Sequence, residues 1–271
     1  MNGRDGQHGR WRIHGLSVAG YRHERSGTPC QDAWHYAATG PDPGPGREPV
    51  TVLAVADGAG SRPSSDKGAE LAAKLATTHF GRRAAAEFRS GDDVQARLRS
   101  AFRDVREEFL RRTGDHADDY ASTLTVVVLA PTWLGHLSVG DGFVVLRAGT
   151  EDGERQFHLL PQADAASEYS NETVFLTTSD AEKWVRTACI RDYAIDGVLL
   201  STDGLAQIAL SWEDGRPREP NTSFAAAVFR SLDGPGPDPA EDDAALATLL
   251  RSDRFTAVNA DDKTLLRAVR I

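Results

Sequence analysis

Thr51-Val-Leu-Ala-Val-Ala-Asp57-Gly58 is a nearly continuous apolar run that ends on a carboxylate. Such a run predicts a strand buried on both faces, since a strand with one wet face alternates apolar and polar residues. The same ending recurs in Gly135-His-Leu-Ser-Val-Gly-Asp141-Gly142, Val198-Leu-Leu-Ser-Thr-Asp203-Gly204 and Phe255-Thr-Ala-Val-Asn-Ala-Asp261-Asp262. Buried strands that each deliver an acid at one end gather carboxylates along one edge of a core. Like charges repel, so such a group persists mainly where a cation holds it.

Turn chemistry competes with this reading, because glycine accepts positive φ and aspartate bonds to its own backbone. Of the eight Asp-Gly pairs, Asp5-Gly6, Asp152-Gly153, Asp196-Gly197, Asp214-Gly215 and Asp233-Gly234 lack a preceding apolar run and read as turns. The other three, with Asp261-Asp262, stand out by their joint occurrence.

The 271 residues suffice for one large domain or two small ones. A formal charge of −9 argues against a nucleic-acid partner, which would need a basic face. No apolar run approaches the length of a membrane span. Residues 1–12 are polar, without a signal-peptide core, and read as a disordered lead to one domain over 13–271. Cys30 and Cys189 are far apart and form no Cys-x-x-Cys, which argues against a disulfide framework or zinc cluster and fits a reducing cytoplasm. The oxygen-rich acids suit Mg²⁺ or Mn²⁺ rather than zinc.

Around the opening run, Arg12–Tyr21 and Ala33–Thr39 predict a first pair of strands, and Gly40–Pro49 a loop. Residues 66–89 predict a helix. From Asp92 to Arg112 the spacing of Val94, Leu98, Ala101, Phe102, Val105 and Phe109 predicts an amphipathic second one. Ser122–Ala130, Trp133–Val139, Phe143–Arg147 and Gln156–Leu160 read as an antiparallel meander. In Pro161–Asp196, Thr173–Thr177 reads as a strand and Asp180–Ala188 as a helix. Short helices follow the Val198–Thr202 strand at Leu205–Leu210, Ser223–Leu232 and Pro239–Leu250, before a last strand, Lys263–Ile271. Helices set between blocks of meander strands predict an α+β sandwich with helices outside two packed sheets. Asp57, Asp203 and Asp261 then meet at one edge.

Six ordered blocks carry a family resemblance: Gly27-Thr-Pro-Cys-Gln31-Asp32, Val55-Ala-Asp57-Gly58-Ala-Gly60, Ala121-Ser122-Thr123, Gly140-Asp141-Gly142, Ser201-Thr-Asp203-Gly204-Leu205 and Asp261-Asp262-Lys-Thr264. In these the chain resembles the metal-dependent protein phosphatases of the 2C type, particularly their compact bacterial branch. The resemblance implies a four-layer α-β-β-α sandwich, two mainly antiparallel sheets flanked by helices, with two Mg²⁺ or Mn²⁺ ions at one end. By position, it implies that Asp57 bridges both ions, that the Gly58 carbonyl ligates one, and that Asp203 and Asp261 hold the other. Asp32 and Asp118, the latter interchangeable with Asp119, stand where related enzymes bind a third, weaker ion. Gln31, Asp141 and Asp262 fall in supporting positions behind the ligands. Two such ions produce hydroxide from a bridging water at neutral pH, and this attacks phosphoserine or phosphothreonine in line. The implied partners are a phosphorylated protein and a cognate Ser/Thr kinase.

Three departures qualify what the resemblance implies. Gln31 replaces a glutamate found in many relatives. Ala59 stands where some carry a histidine that serves as general acid. Gly27 occupies the place of the phosphate-binding arginine, with Arg25 and His23 as replacements. His23 is equally readable as a structural hydrogen-bonding residue, and Arg25 as a solvated one. These departures leave a second reading, a silent phosphatase-like module that binds a phosphoprotein or regulates a kinase. A third is a phosphatase for a small metabolite, its specificity set in Pro161–Asp196, including Glu168-Tyr-Ser-Asn171-Glu-Thr173.

Overall fold

The computed structural model describes residues 11–39, 49–87, 94–149, 153–161, 173–233 and 239–271. Within these residues the opening run is β3 (Thr51–Asp57), and it lies between two partners as its apolarity requires. On one side is β2 (Asp32–Ala38), with Asp32 opposite Asp57. On the other is β4 (Leu124–Leu129), followed by β5 (Leu134–Val139) and the edge strand β8 (Arg186–Ile190). A second five-stranded sheet runs β1 (Trp11–Val18), β12 (Lys263–Arg270), β9 (Ile195–Ser201), β6 (Phe143–Gly149) and β7 (Arg155–Leu159). All pairings in both sheets are antiparallel.

Alternate residues of these strands feed two cores. Leu53, Val55, Val127 and Leu129 point into the space between the sheets, against Val144, Val198, Leu200 and Leu266. Val52, Ala54, Val126 and Val128 face outward, under α2 (Ser65–Glu87) and α3 (Val94–Thr113). The Ala69, Ala72, Ala73 and Ala76 face of α2 lets that helix settle closely on the sheet. Phe102 and Phe109 of α3 are fully buried, each stabilising the fold by roughly 2–3 kcal/mol. The other sheet is covered by α6 (Thr222–Asp233), α7 (Pro239–Leu250) and α8 (Asp253–Val258), through Phe224, Phe229, Leu246 and Phe255. Helix, sheet, sheet and helix are therefore stacked as expected.

Several expectations differ from what forms. Phe255–Ala260 does not make a strand: β12, which follows it directly, is already paired on both edges by β1 and β9 and has no free edge to offer it. It coils into α8 instead, burying Phe255 and leaving Val258 exposed. Asp261 therefore arrives from a short connection into β12, not from a strand end. In Asp180–Ala188 only the single turn α4 (Ala181–Trp184) is helical, because the next residues pair with β5 as β8. Thr173–Thr177 forms no strand. β1 begins at Trp11, opposite Arg270, within the stretch read as a lead, and ends at Val18. Tyr21–Ser26 is the helix α1, stopped by Gly27 at φ 70°. Asp214-Gly215 is the expected turn, joining β10 (Leu210–Glu213) to β11 (Arg216–Pro220) after the short helix α5 (Ala206–Ala209). Asp196-Gly197 instead lies inside β9, where Asp196 pairs with Arg147 at 2.7 Å. The Gly40–Pro49 loop falls largely outside the described residues, as do Asp5-Gly6 and Glu168–Glu172.

Candidate metal centre

The carboxylates of Asp57, Asp141 and Asp203 each offer an oxygen within 4.8 Å of the other two. They open on a cleft of about 150 Å³ whose walls also include Asp261, Gly58 and the Gln31 side chain. Asp57 and Asp203 are half-buried, whereas Asp141 and Asp261 are exposed at the mouth.

Each acid is delivered by a constrained backbone. The Asp57 N–H donates to Thr123 Oγ1 at 3.0 Å, and the Thr123 N–H returns a bond to the Asp57 carbonyl at 2.8 Å. Gly58 is tied by its N–H to the Gln31 carbonyl at 3.0 Å. Asp203 opens a 3-10 turn directly after β9. The next residue is glycine by necessity, since a Cβ there would lie 1.8 Å from the Asp262 carbonyl oxygen. Asp262 is 4% exposed and accepts the Gly20 and Gln31 N–H groups, each at 2.6 Å, with His23 Nδ1 2.8 Å away. It fastens α1, the Gln31 backbone and the lead into β12 to one carboxylate. The Lys263 ammonium donates to the Asp261 carbonyl at 2.8 Å. Asp32 is buried behind the cleft and accepts Thr202 Oγ1 at 2.7 Å.

The electrostatics are those of acids forced together. Burial, then the neighbouring Asp262 and Asp203, push Asp32 up to about 8, against hydrogen bonds from Thr202 and Thr264. Burial and then Asp141 and Asp261 push Asp203 up to about 7. Asp57 is raised well above the carboxylate range by burial, then by Asp32, Asp203, Asp141 and Asp261. Asp141 is raised by the protein crowded around it, with Thr173 and Arg186 opposing. Without a cation, burial and the neighbouring acids keep Asp32 and Asp203 holding protons close to neutrality.

The donor set fits a hard divalent cation. Its polar side chains are carboxylates, one amide and the Thr173 hydroxyl, with no thiol or imidazole in the cleft wall. Gln31 Oε1 is buried and has no hydrogen-bond partner among the described residues, an acceptor left for a cation or its water.

The structure brings Asp57, Gly58, Asp203 and Asp261 to the cleft wall and sets Asp32 just behind it. Asp118 is elsewhere: it is exposed on the 3-10 helix Gly114–Tyr120, does not line the cleft, and its carbonyl accepts the Ala121 N–H. Asp141, expected in a supporting position behind the ligands, instead groups with Asp57 and Asp203 at the cleft. The signal for it was present in the strand-terminal Asp-Gly pattern. Thr173, the last residue of the Glu168–Thr173 stretch read as setting specificity, lines the cleft, as does Phe175, which was not singled out. His23 is fixed on Asp262 but does not line the wall, and Arg25 lies exposed on α1, its guanidinium 5.6 Å from the Tyr21 ring centre.

Residues 19–251 match the family model described as protein phosphatase 2C. The match stops before Asp261, whose place in the cleft comes from the fold. Serine/threonine-protein phosphatase 3 of Escherichia coli (strain K12) is 30% identical over 233 residues, covering 82% of this chain and 87% of that protein. Among solved structures, serine-threonine phosphatase 2C from Toxoplasma gondii superposes with a TM-score of 0.65 at 13% identity, over 96% of this chain and 95% of that one. The Mycobacterium tuberculosis serine/threonine phosphatase PstP/Ppp gives 0.56 at 19% identity, over 96% and 98%. The catalytic domain of PstP, in complex with two manganese ions, gives the same values. The chain belongs to the protein phosphatase 2C family.

Proposed function

We propose that this chain is a metal-dependent serine/threonine protein phosphatase whose acid cleft holds two Mg²⁺ or Mn²⁺ ions and a third, weaker one. The observation that carries the reading is the convergence of Asp57, Asp141 and Asp203 on one small cleft in a chain of this family. Asp57 and the Gly58 carbonyl are proposed to serve the ion pair together, Asp203 and Asp261 to complete one ion's set, and Asp141 with Asp203 to face the third. Divalent ions so held polarise a phosphoryl group and lower the pKa of water.

The remaining steps belong to the chain's own side chains. Asp262 holds Gln31, α1 and the β12 lead in register, so that the Gln31 side-chain amide oxygen, Oε1, stays available at the cleft. Asp32 anchors Thr202 beside Asp203, keeping the turn after β9 from moving when charge enters. His23, oriented through Nδ1, is proposed to offer Nε2 to the phosphoryl group or the departing serine or threonine oxygen. Arg25 is proposed as a looser contact for the phosphopeptide. No cysteine is required: burial pushes the Cys30 thiol far above neutrality, where it is a poor nucleophile.

The substrate is proposed to be a phosphoprotein made by a cognate Ser/Thr kinase in the cytoplasm. No helix among the described residues is long and apolar enough to cross a membrane. Hydrolysis of a phosphothreonine peptide and of p-nitrophenyl phosphate, each with Mn²⁺, Mg²⁺ or EDTA, tests the reading. Turnover with either metal and none with EDTA is expected. A folded protein that turns over neither substrate with any divalent ion is instead the silent, phosphoprotein-binding module.

A further inference from the structure

The turn that presents Asp141 is gripped from behind by a side chain outside the acid cluster. Arg186 is the first residue of β8, opposite Ser138 of β5. Its guanidinium reaches past the end of β5 and donates from both Nη1 and Nη2, at 3.3 Å each, to the Gly140 carbonyl, with Ser138 Oγ 3.5 Å from Nη1. Gly140 is the residue immediately before Asp141. Its φ of 99° belongs to the region that favours glycine, and a Cβ there would lie 2.5 Å from Thr123 Cγ2. Thr123 is the same residue that exchanges two hydrogen bonds with the Asp57 backbone. On the other side, Thr173 Oγ1 donates to Asp141 Oδ2 at 2.9 Å.

We infer that Arg186 is a positioning residue for cation binding: by clamping the Gly140 carbonyl it fixes the Asp141 carboxylate beside Asp203 and Asp57. The inference rests on the proposed role of Asp141 at the third ion. A guanidinium whose two N–H groups converge on one carbonyl oxygen, with Ser138 Oγ beside it, ties the position of that peptide to the start of β8. The Asp141 side chain leaves the chain one residue later, so a loosened peptide lets the carboxylate swing toward solvent at the exposed mouth of the cleft. Arg186 touches neither substrate nor ion in this scheme. Its loss therefore changes how strongly the weakest ion is held, not the chemistry once every site is filled.

The test is calorimetric titration of Mn²⁺ into the full, metal-stripped chain, compared among wild type, Arg186→Gln, Arg186→Lys, Asp141→Asn and the two double variants with Asp141→Asn. Arg186→Gln is expected to weaken the weakest Mn²⁺ site by about tenfold, the low end of what loss of a group supporting a ligand from outside costs. Arg186→Lys keeps the charge and loses the fork, and falls between it and wild type. Once Asp141 is asparagine, neither Arg186 change weakens Mn²⁺ binding further. At saturating Mn²⁺, kcat of Arg186→Gln returns to within about twofold of wild type, since outer partners act through ion affinity.

If Asp141→Asn weakens Mn²⁺ and the Arg186 variants do not, or if the effects add, the positioning role is overturned. If Asp141→Asn itself leaves the titration unchanged, the role of Asp141 falls and the inference with it. Should Arg186→Gln fail to fold, Arg186→Lys alone and with Asp141→Asn decides by the same criterion.

Discussion

Asp57→Asn is expected to abolish metal-dependent turnover, by about 10³-fold or more in kcat, while making the ion-free protein more stable at pH 8. The two effects have one cause. Asp57 stands at the end of a strand buried on both faces, with Asp32 across the ladder and Asp141 and Asp203 in front of it. In the absence of a cation its negative charge is opposed by burial and by each of those acids. Asparagine has nearly the shape of the protonated acid, so it keeps the packing and removes the repulsion. It also removes the charge that draws a divalent ion between the strands. Phosphopeptide turnover with Mn²⁺, alongside thermal unfolding in EDTA, measures both. A variant that loses activity and also melts lower in EDTA at pH 8 would mark Asp57 as structural rather than as an ion ligand.

The pH dependence of stability is expected to invert when metal is added. Asp32 and Asp203 have folded-state values near 8 and 7, above an ordinary carboxylate value of 3.8. Between those limits the folded, ion-free protein binds more protons than the unfolded chain, so its stability falls as pH rises. The loss begins above about pH 4, continues to about pH 8, and then flattens. As the groups are coupled, the slope belongs to the cluster, and a loss on the order of a few kcal/mol is expected. For a chain of this length that is roughly 10 °C in Tm. With saturating Mn²⁺ the sign reverses, because protons now compete with the ion for the carboxylates and binding stabilises only the folded state. Melting curves at pH 5, 6, 7 and 8, with EDTA and with Mn²⁺, check this. Parallel pH trends in the two series would show that no cation enters the cluster.

The parts of the fold legible in the sequence were those whose residues carry the information locally. The continuous apolar run of β3 required a partner on both sides, and the spacing from Val94 to Phe109 required one buried face. Both are present. Phe255–Ala260 and Asp180–Ala188 misled because the deciding fact was elsewhere. β12 had no free edge to offer the first, while β5 had one to offer the second. Short runs follow the available ladder rather than their own propensity. Within the site, strand-terminal acids were readable because aspartate at the end of a buried strand is costly without a purpose. Asp141 shared that pattern, and the structure places it with Asp57 and Asp203. Asp118 carried none of it. Thr173 was legible only as the end of a specificity stretch, and Phe175 and Arg186 not at all, since each reaches the cleft or its supports through long-range packing of the segment leading into and beginning β8.

The most direct test is anomalous diffraction from crystals of the protein grown or soaked with Mn²⁺. Two strong manganese peaks are expected between Asp57, Asp203 and Asp261, with carboxylate oxygens about 2.0–2.4 Å from them, and a weaker third beside Asp141. A well-ordered cleft with no manganese peak touching Asp57 would contradict the proposal that these strands exist to hold metal.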